Sequence, residues 1–247
     1  MWTTSQLVTY SIAYTVIALL CVGAWFLFRK QDEKTKRKVF LSIFILLAVF
    51  EVIKQIFLIV EGTWTTWTIP IHLCSTFYVW YALACFAKGK WQAAGFNLSF
   101  IVATMLFIGL LYDPYAIIGE AANDIFASFS MFHTFFFHMI VLLFAGLQIV
   151  FKIGLPKLEN IKHSMLIFVI WEIIAAVMAN VLQTNYASFL SNSFAPIEYV
   201  RTAWGYIPYA LILAGVFMFG VVLITVVCHF IQKIPPIKKK EKPVEQR

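Results

Sequence analysis

The chain has 247 residues, of which 62% are hydrophobic and 13% charged, with a net charge of +7 and a mean hydropathy of +0.84. A soluble domain is nearer about half apolar, so an ordinary water-soluble fold is excluded. The positive balance does not imply a nucleic-acid partner, because where the charges lie matters more than their sum.

Apolar runs of twenty or more residues are long enough to cross a bilayer as helices. In lipid every backbone group must bond within its own helix, so the expected fold is an all-α bundle. Seven spans are predicted, at about 7–28, 39–60, 68–87, 92–112, 126–151, 164–184 and 206–231. The connections are short, which makes residues 1–231 a single domain. The start "MWTTSQ" has no basic segment, so the first run reads as a retained span. Residues 232–247 form a basic tail, expected to be disordered and cytoplasmic.

Basic residues set the orientation. "RKQDEKTKRK" carries six Lys/Arg and the tail six more. Lys88 and Lys90 follow the third span, and Lys152, Lys157 and Lys162 follow the fifth. The opposite side carries Arg201 alone, against Glu61, Asp113, Glu120, Asp124 and Glu198. This places the N-terminus outside and the C-terminus in the cytoplasm.

Depth then follows from the rise of about 1.5 Å per helical residue. The third span opens "TIPIHLCSTF", with Pro70 suited to a first helical position. His72 and Cys74 would lie in the first turns, where the positive end of the helix dipole favours an anion. The thiolate is the reactive form of cysteine. Two residues apart, His72 and Cys74 point to nearly opposite sides of a regular helix, so the base for Cys74 is expected from another span, as His133 or His138. Glu51 and Lys54 fall in the outer half of the second span. Asn180 lies near the outer end of the sixth, with Asn185 and Tyr186 just beyond. Ionisable groups in lipid are costly and normally face a bundle interior. A shared outer-leaflet cavity lined by Glu51, Lys54, His72, Cys74, His133, His138 and Asn180 is expected. Any one of these residues alone reads more simply as polar contact between helices. Cys21, Cys85 and Cys228 fall toward the cytoplasmic half and read as inert apolar side chains.

Several motifs carry a resemblance. Glu51 in "FEVIKQ", then "IPIHLC", then His138 in "FFFHMIVL", then "ANVLQTNYASFL" and "WGYIPY" together resemble the YwaF-like family of bacterial integral membrane proteins, over about Val39 to Val222. The stretch "SNSFAPIEYVRTAW" departs from that family's pattern. The resemblance extends to eukaryotic multi-span phospholipid acyltransferases that use a cysteine and a histidine. It implies Cys74 as nucleophile, His138 as base and the plasma membrane of a bacterium as location.

Three functions are weighed. The first is lipid acyl transfer or acyl-ester hydrolysis. Cys74 would attack the ester with a His as base, and Glu51 would orient a histidine. His72, Asn180 or Asn185 would donate to the oxyanion, and Tyr186 and Lys54 would join in holding a phospholipid or other acyl lipid. No cofactor is required, and no nucleotide-binding motif is present. The second is a zinc-dependent membrane hydrolase, for which His, Cys and Glu are adequate but dispersed ligands. The third is a non-enzymatic carrier or lipid-binding protein, since intramembrane Glu, Lys and His also serve proton or solute movement.

Overall fold

The computed structural model describes residues 2–192 and 194–234. Its helices are α1 (Thr4–Phe28), α2 (Glu33–Val60), α3 (Phe77–Phe86), α4 (Gly89–Tyr112), α5 (Pro114–Ile118), α6 (Phe129–Phe151), α7 (Ile161–Leu182), α8 (Ala195–Trp204) and α9 (Tyr206–Lys233). No strand is present among the described residues. Six helices, α1, α2, α4, α6, α7 and α9, are long and apolar enough to cross a membrane. The chain is a multi-span α-helical membrane protein.

Local chemistry sets the helix ends. Thr3 and Gln6 form a reciprocal capping box at the start of α1. Asp32 accepts from Thr35 N at 2.8 Å to start α2, and Ser128 Oγ accepts from Met131 N at 3.2 Å to start α6. Asp113 followed by Pro114 starts α5.

α4 and α6 sit innermost, while α1, α2 and α9 turn most of their residues outward. Exposed side chains such as Leu27, Val60, Ile207 and Phe219 would be unfavourable in water and suit lipid. Aromatic rings fill the centre, with Tyr81 stacked on Phe144 at 3.7 Å and Phe40 against both Phe96 and Phe144. α3 lies hard against α4 at Gly95, where a Cβ would come within 2.5 Å of the Ala84 nitrogen. Only a glycine allows that approach.

The third apolar run departs from expectation. A helix was predicted over about 68–87, opening at Pro70. Instead Thr66–Thr68 is a 3-10 turn, residues 70–76 are turns, and regular helix begins at Phe77. His72 and Cys74 therefore sit on irregular backbone, and the dipole of a regular helix does not act on Cys74 as expected. The turns are held by local bonds, Thr76 Oγ1 to the Leu73 carbonyl and His72 Nε2 to the Trp67 carbonyl at 3.1 Å. Non-helical backbone at membrane depth is tolerated where it is buried in protein or lines a cavity. At its other end, α9 runs to Lys233, and residues 235–247, expected to be disordered, lie outside the described residues.

Candidate functional site

A cavity of about 390 Å³ opens toward the bundle end opposite the basic loops. α2 contributes Glu51 and Lys54, the turns before α3 contribute His72 and Cys74, and α6 contributes His133 and His138. α5 and Gly119 close over it. Six of the seven residues expected to share a cavity thus line one.

Glu51 is the hub of its wall. One oxygen takes Lys54 Nζ at 2.7 Å and Gln55 Nε2 at 2.6 Å, and the other takes the Tyr78 hydroxyl at 2.9 Å. His133 Nε2 lies 3.3 Å from Glu51 Oε2, within ion-pair range. It makes no well-aligned hydrogen bond there. Gln55 also donates to the Thr68 carbonyl at 2.8 Å and accepts from Trp64 Nε1 at 2.9 Å, tying this wall to the loop that leads to Cys74. Lys54 and Gln55 lie three and four residues past Glu51, one turn on along the same helix face.

His138 is held differently. Its Nδ1 is 2.6 Å from the Thr134 carbonyl one turn back. A carbonyl only accepts, so Nδ1 carries the proton, and in the neutral ring Nε2 carries the lone pair. Nε2 has no partner among the described residues. The two expected histidines therefore separate: His133 sits against Glu51, and His138 presents an unengaged basic nitrogen. Of the two, Glu51 lies beside His133 and not His138, without an aligned hydrogen bond to its ring.

Behind the turns lies a second, more apolar cavity of about 650 Å³ between α4 and α9, lined by Met105, Leu106, Phe217 and Gly220 among others. His72 and Cys74 line both cavities. His72 packs between Trp67 and Tyr186, with ring centroids 4.2 and 5.1 Å away.

Three residues expected at the site do other work. Asn180 is absent from the cavity wall, since its amide donates to the Ala176 carbonyl at 2.8 Å and to the Tyr206 hydroxyl. Asn185 touches the apolar cavity, but its amide is committed to its own loop. It donates to Ser191 and accepts from Leu190 N at 2.8 Å and Ser191 N at 3.1 Å. That leaves no donor for an oxyanion. Tyr186 is fully buried and its hydroxyl bonds to the Thr66 carbonyl, pinning the loop before Cys74. Sequence reasoning missed Gln55, Tyr78 and Thr134. The i,i+4 spacings Glu51–Gln55 and Thr134–His138 were available signals for two of them.

Among the described residues no three His, Cys, Asp or Glu side chains come close enough to share a metal ion. The four cysteines are free. Cys21 packs on Gly146, where a Cβ would meet its sulfur at 2.6 Å.

The sequence model of the TMEM164 family matches residues 1–226. This overturns the resemblance to the YwaF-like bacterial family and the relation to acyltransferases drawn through it. The short motifs behind that resemblance are few residues set in apolar runs, whereas the family match spans nearly the whole chain. No curated protein and no solved structure matches the chain.

Proposed function

We propose a function for a chain that belongs to the TMEM164 family and spans the membrane several times: acyl transfer between membrane lipids, or hydrolysis of an acyl ester, at Cys74. The observation that carries it is one cavity lined both by a thiol and by a histidine whose Nε2 is unengaged and whose other nitrogen is fixed by the Thr134 carbonyl.

The steps follow from these groups. His138 Nε2 takes the Cys74 proton, and the sulfur attacks the ester carbonyl. The carbon–oxygen bond to the leaving alcohol breaks, and that alcohol takes the proton from His138. An acceptor hydroxyl, or water, then attacks the thioester with His138 as base, and the thiol returns. Lys54 and His133, on the wall organised by Glu51, supply positive charge and a polar contact for the carbonyl oxygen and the head group. The adjoining apolar cavity has the composition to receive an acyl chain. The zinc hydrolase has no ligand set to stand on among the described residues.

The non-enzymatic reading rests on a different observation, the chain of ionisable groups Lys54, Glu51 and His133 inside the bundle. The two readings separate by experiment. Cys74→Ala and His138→Ala should each abolish acyl exchange in reconstituted lipid while the protein stays folded, and His163→Ala should not. An acyl-mimicking electrophile should label Cys74 in preference to Cys21, Cys85 and Cys228. Equal labelling of all four with full activity in Cys74→Ala refutes the thiol mechanism. The proposed orientation puts this cavity in the leaflet opposite the basic loops. Modification of an engineered cysteine in the α1–α2 loop, residues 29–32, by an impermeant reagent from outside intact cells would reject that topology.

A further inference from the structure

A further cavity, larger than the two above, lies at the other end of the bundle. It measures about 770 Å³ and is lined by the first turn of α4, the C-terminal end of α6 and the loop after it, together with Arg37 of α2 and Gln232 of α9. His138 on α6 and Lys152 at the C-cap of that helix are fourteen residues apart, about 20 Å along the helix. The two sites are separate.

Four features of this cavity agree. Arg37, Lys152 and Lys157 line it, with Glu159 as the single lining acid among the described residues. Lys157 Nζ is 3.7 Å from Glu159 and Arg37 pairs at 2.7 Å with Glu33 on the exposed rim, which leaves Lys152 as the lining cation with no carboxylate partner among the described residues. The start of α4 faces it through Gly89, Gln92 and Ala93. That 24-residue helix has no side-chain cap and no acid in its first turn, so its leading N–H groups are not engaged by a cap. Asn97, two turns further along and 1% exposed, lines the same cavity, and neither its amide nitrogen nor its oxygen has a partner among the described residues. A buried amide left wholly unpaired is costly. The walls are also fixed in place. Gln148 donates to the Phe96 and Gly154 carbonyls at 3.0 Å each, and the Arg37 guanidinium lies 5.4 Å from the centre of the Phe96 ring.

We propose that this cavity binds an anionic phosphate ester. The phosphate would sit against the α4 N-terminus and Lys152, with Arg37 offering the donors that its pairing with Glu33 leaves free and Asn97 bonding a hydroxyl or ester oxygen beyond the phosphate. A phospholipid head group and a soluble sugar- or glycerol-type phosphate share this chemistry. The site does not depend on the acyl-transfer reading and binds whether or not Cys74 is a nucleophile.

Purified full-length chain in neutral detergent tests it in two arms. One arm measures retention of phosphatidylglycerol against phosphatidylcholine by native mass spectrometry. The other titrates glycerol 3-phosphate by calorimetry. Preferential retention of phosphatidylglycerol with no heat from glycerol 3-phosphate assigns a lipid head group; binding of glycerol 3-phosphate assigns a soluble ester. In either case Lys152→Asn and Arg37→Gln should each weaken binding by about ten-fold, the loss of one charge-assisted contact. Asparagine tolerates the left-handed backbone at position 152, where φ is 55°, so that variant keeps the fold. No preference for phosphatidylglycerol together with no binding of glycerol 3-phosphate overturns the proposal. So does binding unchanged in both Lys152→Asn and Arg37→Gln, with helicity intact.

Discussion

Replacing Glu51 with leucine is expected to destabilise the protein by about 3–5 kcal/mol, because of what it does to Lys54. Glu51 is 9% exposed and receives Lys54, Gln55 and Tyr78. Without the carboxylate, an ammonium on a side chain only 15% exposed loses its counter-charge. Removing one member of a buried pair is the costly case, since the remaining charge stays desolvated. Tyr78→Phe removes one donor and leaves the carboxylate two others, so its cost should be about 0.6 and at most about 1.7 kcal/mol, the range for single hydrogen bonds in membrane proteins. The double variant Glu51→Leu/Lys54→Met removes both charges together. Its cost should fall below that of Glu51→Leu alone, a coupling of about 2 kcal/mol or more. Unfolding of the parent chain, these three variants and the single variant Lys54→Met by SDS in lipid–detergent micelles, followed by circular dichroism, measures all of these terms. If Glu51→Leu costs no more than Tyr78→Phe, Lys54 has swung its head to water along its flexible stem. The charge pair would then not be what holds this wall together.

Gly154→Ala should be destabilising by about 2 kcal/mol or more in the same assay, because φ is +66° and a Cβ would lie 2.3 Å from the Phe96 ring. Asn185→Ala should loosen residues 185–191, read as faster amide exchange at Leu190 and Ser191, which lose their acceptor. In α8, the Arg201 hydrogen bond first, and Asn192 N second, hold the Glu198 carboxyl below its usual range. A lowered folded pKa stabilises above the unfolded value, and the effect is lost as pH falls through the folded one. Amide exchange over 192–204 should therefore rise on acidification through the carboxylate range and stay flat above it; exchange that rises with alkalinisation alone, after correction for intrinsic rates, contradicts this.

Most of the spans were legible because lipid leaves the backbone few options. Twenty apolar residues bounded by "RKQDEKTKRK" or by Asp113 and Pro114 leave little but a helix between them. The polar cavity was also legible, since Glu51, Lys54, His72, Cys74, His133 and His138 had no other low-cost place to point. The third run was misread because hydropathy records composition, and "TIPIHLCSTF" is apolar whether helical or turned. What decides it is tertiary as well as local: the Tyr186 hydroxyl holds the Thr66 carbonyl from 120 residues away, and both cavities border these residues. Asn180 was misplaced for a related reason. Depth along a helix was readable, but rotation about it depended on Tyr206, 26 residues away in sequence. The bonding of Tyr78 to Glu51 likewise joins positions 27 apart that no local pattern links.

The break at residues 70–76 also uncouples two registers. In a continuous helix, adding or deleting one residue ahead of Cys74 would rotate everything after it by about 100°. Here the helical ladder begins only at Phe77, and the packing of α3 on α4 is anchored separately where Ala84 meets Gly95. A length change among residues 62–65 can therefore be absorbed before the thiol without turning Trp80 or Tyr81 out of the core. The same change inside α6 would carry His133 and His138 off the cavity together. Insertions and deletions among relatives of this chain should accordingly gather on the Cys74 side of the pair and be absent between Ser128 and His138.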